Sequence, residues 1–273
     1  MKNITPRENT YLKSLAKQCN ALYICPKNAE GKRTGTLVPY AGKDAKGRNL
    51  VGDCYFNFRR IEENVGAVID FAKAIRDALV ENGLMDSFDT VCGIPQGGRT
   101  LAQEVAWLTN RRFVYADKKA KPAEASKKQE YDWDLSQFSF KAGERLLVVD
   151  DLLNNLQNTD NTLEQIAKTG AQVVLLGTAL NRSPFADKSY TPKSGPYEGQ
   201  VLPIVAAIRE PYPEYEQDDP EVASDIACGN IEWEVKKNWG RLMAVMNIGR
   251  PLERGVIKLE WLLHEDNRLT AYK

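Results

Sequence analysis

Leu146-Leu147-Val148-Val149-Asp150-Asp151-Leu152-Leu153 sets a branched aliphatic run directly against a pair of acids. A short apolar run bounded by polar residues reads as a strand buried on both faces, the kind found in parallel sheets. The strand is predicted over 145–149, with both carboxylates at its carboxyl end. Open α/β sheets bind their ligands at that edge. Paired carboxylates there suit two tasks, accepting hydrogen bonds from sugar hydroxyls and holding a hydrated magnesium ion. A plainer reading also stands, in which two strand-end acids simply cap the turn that follows.

Working outward, apolar residues Val65, Val68, Ile69, Ala72, Ile75 and Leu79 recur at three- and four-residue steps. That spacing predicts an amphipathic helix over 65–82, closed by Gly83. Strands are expected at 89–94, 113–116, 173–180 and 201–208, and helices at 100–108 and 159–168. The alternation implies right-handed βαβ units and a mainly parallel sheet flanked by helices, an α/β fold. Before it, residues 3–20 suit a short helix and 21–25 a brief strand. The glycine-rich stretch 28–52 suits turns between short strands, and the aromatic run 53–60 (DCYFNFRR) reads as strand. Residues 117–143 read as a mobile loop or irregular hairpin, and 183–200 as a surface excursion. A proline- and acid-rich extension follows, with a helix around 239–246 and tryptophans Trp233, Trp239 and Trp261 expected to pack it onto the core. The domain organisation expected is an N-terminal segment 1–64, a core 65–210 and a C-terminal extension 211–273.

The whole chain narrows the function classes. Its 273 residues are 42% hydrophobic, and 37 basic residues balance 37 acidic ones. Zero formal charge argues against a general nucleic-acid coat or a membrane-surface protein. No run approaches the roughly 18 apolar residues of a spanning helix. The five cysteines form no CxxC pair and read as reduced thiols. A soluble, cytoplasmic protein is expected.

A second signal precedes the acid pair. Val91-Cys92-Gly93-Ile94-Pro95-Gln96-Gly97-Gly98-Arg99-Thr100 is a strand running through a glycine turn into a helix. Backbone N–H groups at such a helix start can cradle phosphate, and glycines permit close approach. The turn fits neither GxGxxG nor GxxxxGK[ST].

With both signals in this order, residues 48–185 resemble the type I phosphoribosyltransferases, and most of all their orotate branch. The turn Gly93, Ile94, Pro95, Gln96, Gly97, Gly98, with Arg99 beside it, is similar to the branch's pyrophosphate loop. Tyr115 with Lys118 and Lys121 stands where its basic strand-end motif falls. The run LLGTALNRS, ending in Arg182 and Ser183, resembles a strand beside the site, and YFNFRR, with Arg59, resembles a strand of the hood over the base. The resemblance implies binding of 5-phosphoribosyl 1-diphosphate with magnesium, transfer of phosphoribose to a nitrogenous base with orotate the first candidate, and a homodimer. It gives Asp150 and Asp151 to the ribose hydroxyls, and Lys118, Lys119 and Lys121 to the pyrophosphate. No protein group is assigned as a direct metal ligand, and Asp150 would reach magnesium through water.

The chain departs from that pattern at the phosphate loop. After Asp-Asp the family has a threonine-rich turn with glycine, whereas here stand Asn154, Asn155, Leu156, Gln157, Asn158 and Thr159. An ungapped reading places Leu156 where glycine is expected, at a left-handed backbone position that strains leucine. A gapped reading makes 159–162 the phosphate turn, with Asp160 repelling the phosphate. The ungapped reading is preferred. The family's loop histidine is missing, since the sole histidine is His264, and Asp117 replaces a frequent arginine. Such changes also fit a fold retained as a sensor, regulator or defence-type effector acting through protein partners.

Overall fold

The structure is a computed structural model describing residues 6–120 and 131–246. The chain begins with α1 (Pro6–Gln18), β1 (Leu22–Ile24), β2 (Val38–Lys43), β3 (Asn49–Gly52), β4 (Cys54–Phe56) and α2 (Phe58–Glu62). The core follows with α3 (Val65–Glu81), β5 (Thr90–Gly93), α4 (Gly98–Thr109) and β6 (Arg112–Tyr115). Next come β7 (Asp117–Ala120), β8 (Tyr131–Asp134), β9 (Arg145–Leu153), α5 (Gln157–Lys168), β10 (Gln172–Asn181), β11 (Ser189–Tyr190) and β12 (Leu202–Arg209). Helices α6 (Pro220–Ala227) and α7 (Trp239–Met246) end the described chain.

Six strands form one sheet in the order β11-β12-β10-β9-β5-β6. All its pairings are parallel except the short edge strand β11 on β12. The α/β reading therefore holds. Alternate residues of β9 feed two cores. Leu147 and Val149 pack with Phe71, Ile75 and Leu101 from α3 and α4, whereas Leu146 and Val148 pack with Leu163 and Ile166 of α5. A strand with both faces covered must be apolar throughout, which is why this one was so legible.

Helix α3 begins where the Asn64 side chain accepts from the Ala67 N–H and ends before Gly83, at φ +67°. Val65, counted in the apolar stripe, is exposed in the first turn, and burial starts at Ala67. Two other expectations change. The strand at 53–60 stops at Phe56, and Phe58 begins a helix because its ring and Ile61 turn into the core. The acid pair does not terminate β9: the strand continues to Leu153, with Asp150 opposite Thr178 and Leu153 opposite Asn181 of β10. In the 117–143 stretch, β7 and β8 form an antiparallel hairpin, and 121–130 lie outside the described residues.

The N-terminal strands and the C-terminal segment build one layer beside the sheet. Strand β1 pairs with β4 and β2 with β3, and backbone bridges join Leu37 to Ile231 and Val51 to Tyr215. Arg33 bonds buried Asp53 and the Glu221 carbonyl at 2.7 Å, and Arg48 joins Asp44 to Asp218. Trp239 is buried with Tyr23, Tyr40, Leu242 and Met243. Trp233 is 47% exposed, against expectation, and Trp261 lies outside the described residues. All five cysteines are free thiols. Among the described residues no helix is long and apolar enough to cross a membrane.

Glycine spacing around β9 is testable. A Cβ on Gly98 would lie 2.5 Å from the Val149 carbonyl oxygen and 2.7 Å from the Asp150 Cα, whereas a Cβ on Gly240 in α7 meets nothing within 4 Å. Gly98→Ala is expected to lower unfolding stability by about 1–3 kcal/mol through overpacking. Gly240→Ala should raise it by about 0.4–1 kcal/mol through the unfolded chain's lost entropy. Denaturant unfolding of both variants measures the contrast, and equal effects would contradict it.

Candidate functional site

After β5 the chain crosses through α4 to β6 on one side, and after β9 it crosses through α5 to β10 on the other. The carboxyl ends of β5 and β9 thus flank the topological switch point, where open α/β sheets leave a crevice. A cavity of about 300 Å³ opens there. Strand β5 pairs with β9 only as far as Gly93 opposite Val149, and the Ile94 N–H closes the ladder on the Val149 carbonyl at 2.9 Å. Beyond that point the 95–97 turn folds over the end of β9. A Cβ on Gly97 would lie 2.4 Å from the Asp151 carboxyl carbon. The small residues at Gly97 and Gly98 are therefore used by the protein's own strand.

The cleft gathers most of the residues singled out in the sequence: Asp150, Asp151, Lys118, Arg59 and Arg182, with Pro95, Gln96 and Gly97 from the turn. The loop contributes Asn154, Asn155, Leu156, Asn158 and Thr159. Gly93, Ile94, Gly98 and Gln157 do not line it, the first three being packed under the turn. Arg99 stacks on Tyr115, 3.3 Å from the ring centroid, and pairs with Asp117 at 3.5 Å. Asp117 and Tyr115 thus hold Arg99 away from the cleft. Lys119 falls on the other face of β7 from Lys118 and faces Asp134 at 4.0 Å, as alternation along a strand requires. Lys121 and His264 lie outside the described residues.

Asp150 is 6% exposed, and its Oδ1 accepts the Asp151 N–H at 2.9 Å. Burial, and then the neighbouring Asp151 charge, hold its carboxyl well above the usual carboxylate range, with Lys118 pulling the other way. Burial raises Asp151 too, opposed by Arg59 and Lys236. Helix α2 sets Arg59 at the cleft, where it donates to the Gln96 side-chain oxygen.

Arg182 is 5% exposed, without a carboxylate partner among the described residues. Its Nη1 donates to the Cys54 carbonyl at 2.9 Å, and its guanidinium lies 3.7 Å from the Tyr40 ring centroid. Six buried side-chain polar atoms lack a partner among the described residues, and three belong to cleft-lining groups: Arg182 Nε, Asn154 Oδ1 and Thr159 Oγ1. Buried polar atoms are normally satisfied, so these three mark the cleft as a place where the protein leaves bonds open.

Leu156 has the left-handed backbone that the ungapped reading expects. Leu156 has φ +56° and precedes α5, while Asp160 and Thr162 lie inside the helix. Asp160 accepts from the Tyr190 hydroxyl at 2.9 Å, and the Thr162 hydroxyl donates to the Asn158 carbonyl, so both are bonded within the protein. Asn154 Nδ2 donates to Glu214, tying the loop to the C-terminal segment. Leu156 is 3% exposed and packs in the α5 core.

Tyr55, Asn57 and Lys236 also line the cleft and were not singled out from the sequence. The first two lie in the aromatic run quoted for the hood. Lys236 lies in a segment with no motif, and only folding brings it to the site.

No protein-family model matches the sequence, and no curated protein matches it. Solved structures similar to it include UMP synthase of Leishmania donovani, at 13% identity and a TM-score of 0.47, covering 86% of this chain and 42% of that one. The chain thus spans less than half the length of that protein. Orotate phosphoribosyltransferase of Aeropyrum pernix aligns at 14% identity and a TM-score of 0.45, covering 72% of this chain and 93% of that one. Adenine phosphoribosyltransferase of Trypanosoma brucei, complexed with AMP, pyrophosphate and ribose-5-phosphate, aligns at 15% identity and a TM-score of 0.45, covering 77% and 82%.

Two measurements probe the site's energetics. Relieving a left-handed leucine is worth about 1–2 kcal/mol, but deleting a buried leucine side chain costs about 2–5 kcal/mol. Packing wins, so Leu156→Gly is expected to lower unfolding stability; a gain in denaturant unfolding would overturn this. A carboxyl whose folded pKa is raised keeps its proton longer in the folded than in the unfolded state. Its contribution to stability therefore falls as pH rises from about 4, the ordinary carboxylate value, through the folded one. Asp150→Asn removes that slope, and its melting-temperature advantage should grow between about pH 4.5 and pH 8. A pH-independent difference would contradict the assignment.

Proposed function

We propose that the chain binds 5-phosphoribosyl 1-diphosphate with magnesium and transfers its phosphoribosyl group to a nitrogenous base, with orotate the first acceptor to try. The observation that carries this reading is the convergence, in one switch-point cleft, of the acid pair, the glycine turn, Lys118 and a loop of amide and hydroxyl donors. That set matches the parts of the substrate. Asp150 and Asp151 accept from the ribose hydroxyls. Asn155, Asn158 and Thr159 donate to the 5′-phosphate, and Lys118 with the 95–97 turn faces the leaving diphosphate. The acceptor nitrogen forms a bond to the anomeric carbon as the carbon–oxygen bond to diphosphate breaks, and the electron pair leaves with the diphosphate. Charge separates in that step, so positioned cations do most of the work. Arg182, a buried guanidinium with an open donor, suits an acceptor bearing a carboxylate.

Magnesium fits the donor set. Among the described residues no group of three or more histidine, cysteine or acidic side chains forms a metal cage. Two adjacent carboxylates instead suit an ion that keeps its waters and draws remaining ligands from substrate phosphates. Asp150 would hold it through water, and the ion would neutralise the diphosphate. The described residues of segments 1–64 and 211–273 would serve the core 65–210 as hood and support, in a cytoplasmic homodimer.

One observation favours a second reading. Leu156 occupies the left-handed position with its side chain buried, and asparagines stand where hydroxyls are expected. A cleft that binds the sugar diphosphate without turnover would serve a sensor, regulator or defence-type effector working through protein partners.

Calorimetric titration with 5-phosphoribosyl 1-diphosphate should give magnesium-dependent binding of about micromolar Kd. Asp151→Asn should weaken it by roughly tenfold or more while the fold is kept. Pyrophosphate release with orotate supports transfer, and binding without release under any base supports the second reading. A folded wild-type protein that ignores the compound would falsify both.

A further inference from the structure

Lys236 reaches the cleft from outside the sheet. It follows Val235, buried against the hood strands, and precedes Trp239, whose indole N–H donates to the Asn20 carbonyl at 2.7 Å. The Trp239 ring lies 5.6 Å from that of Tyr55, itself a cleft residue. Anchors on both sides therefore fix the backbone that presents Lys236. Its neighbour Lys237 is paired with Glu234 at 3.0 Å and does not line the cleft.

The charge balance gives Lys236 its role. The cleft is lined by four cations, Arg59, Lys118, Arg182 and Lys236, against two acids, Asp150 and Asp151. Arg182 is engaged with the Cys54 carbonyl and the Tyr40 ring, and Arg59 with Gln96. Lys236 has no ion pair or hydrogen bond among the described residues, and its charge acts on Asp151. An exposed ammonium of this kind suits a phosphate oxygen as a point charge.

We propose that Lys236 is a ligand-binding residue that the C-terminal segment adds to the cleft, its ammonium contacting a phosphate of the bound sugar phosphate. This rests on the phosphoribosyl reading above, although the underlying chemistry requires only a polyanion. The segment is then part of the site, and removing one charge from it changes affinity without touching the sheet.

The test is calorimetric titration of wild type, Lys236→Ala, Lys236→Arg and Lys237→Ala with 5-phosphoribosyl 1-diphosphate plus magnesium, and separately with inorganic pyrophosphate. Lys236→Ala is expected to weaken binding roughly tenfold, with Lys236→Arg largely restoring it and Lys237→Ala unchanged. Melting temperatures should be the same for all four proteins, separating lost charge from lost structure. Equal affinity of Lys236→Ala and wild type for a probe that wild type binds overturns the proposal. If wild type binds pyrophosphate but not the sugar diphosphate, the phosphoribosyl reading fails, and Lys236 is judged on pyrophosphate alone. If it binds neither, both fail.

Discussion

The unequal lengths of two adjacent parallel strands govern the site. Strand β5 pairs with β9 only to Gly93, and β9 runs on to Leu153 supported by β10 alone. The exposed flank of β9 has to be covered, and the 95–97 turn and the start of α4 cover it at distances only glycine allows. That single fit places Asp151 against Gly97 and turns the acid pair into the floor of a crevice. Longer pairing on β5 would have buried the same carboxylates under a continuous sheet.

Burying two adjacent acids is costly unless something compensates, and the cleft supplies cations from three directions. Arg59 comes from the helix after β4, Lys118 from the hairpin strand β7, and Lys236 from the C-terminal segment. These fields oppose the burial that raises both carboxyls. Open donors and acceptors at Arg182, Asn154 and Thr159 leave the cleft under-satisfied, which is the expected cost of a surface kept ready for a polar ligand.

Much of the fold was legible because its signals were local. The β9 strand announced itself by a run too apolar for one-sided burial, and α3 by its stripe and its Asn64 and Gly83 ends. The left-handed turn at Leu156 was legible only through the family resemblance, which expects glycine there. What failed was decided by tertiary contact. Aromatic residues at 55–58 suit a strand, yet Phe58 and Ile61 turn helical because the core lies to one side of them. Arg99 looked like a phosphate group's partner until Tyr115 and Asp117 captured it. No local pattern could have named Lys236, which depends on Trp239 packing against Tyr55 from 184 residues away in the chain, a separation given by their numbers.

The layer built from the N-terminal strands and the C-terminal segment has a history as well as a geometry. Its strands emerge in the first 56 residues, but the bridges that complete it, Leu37 to Ile231 and Val51 to Tyr215, use residues made after the whole sheet. During vectorial synthesis the β-rich first segment must wait, partly unpaired, while the parallel core forms behind it. The acids and the glycine turn can meet before the cleft has its walls. Only a chain whose synthesis has passed Lys236 can therefore carry the complete lining of the cleft.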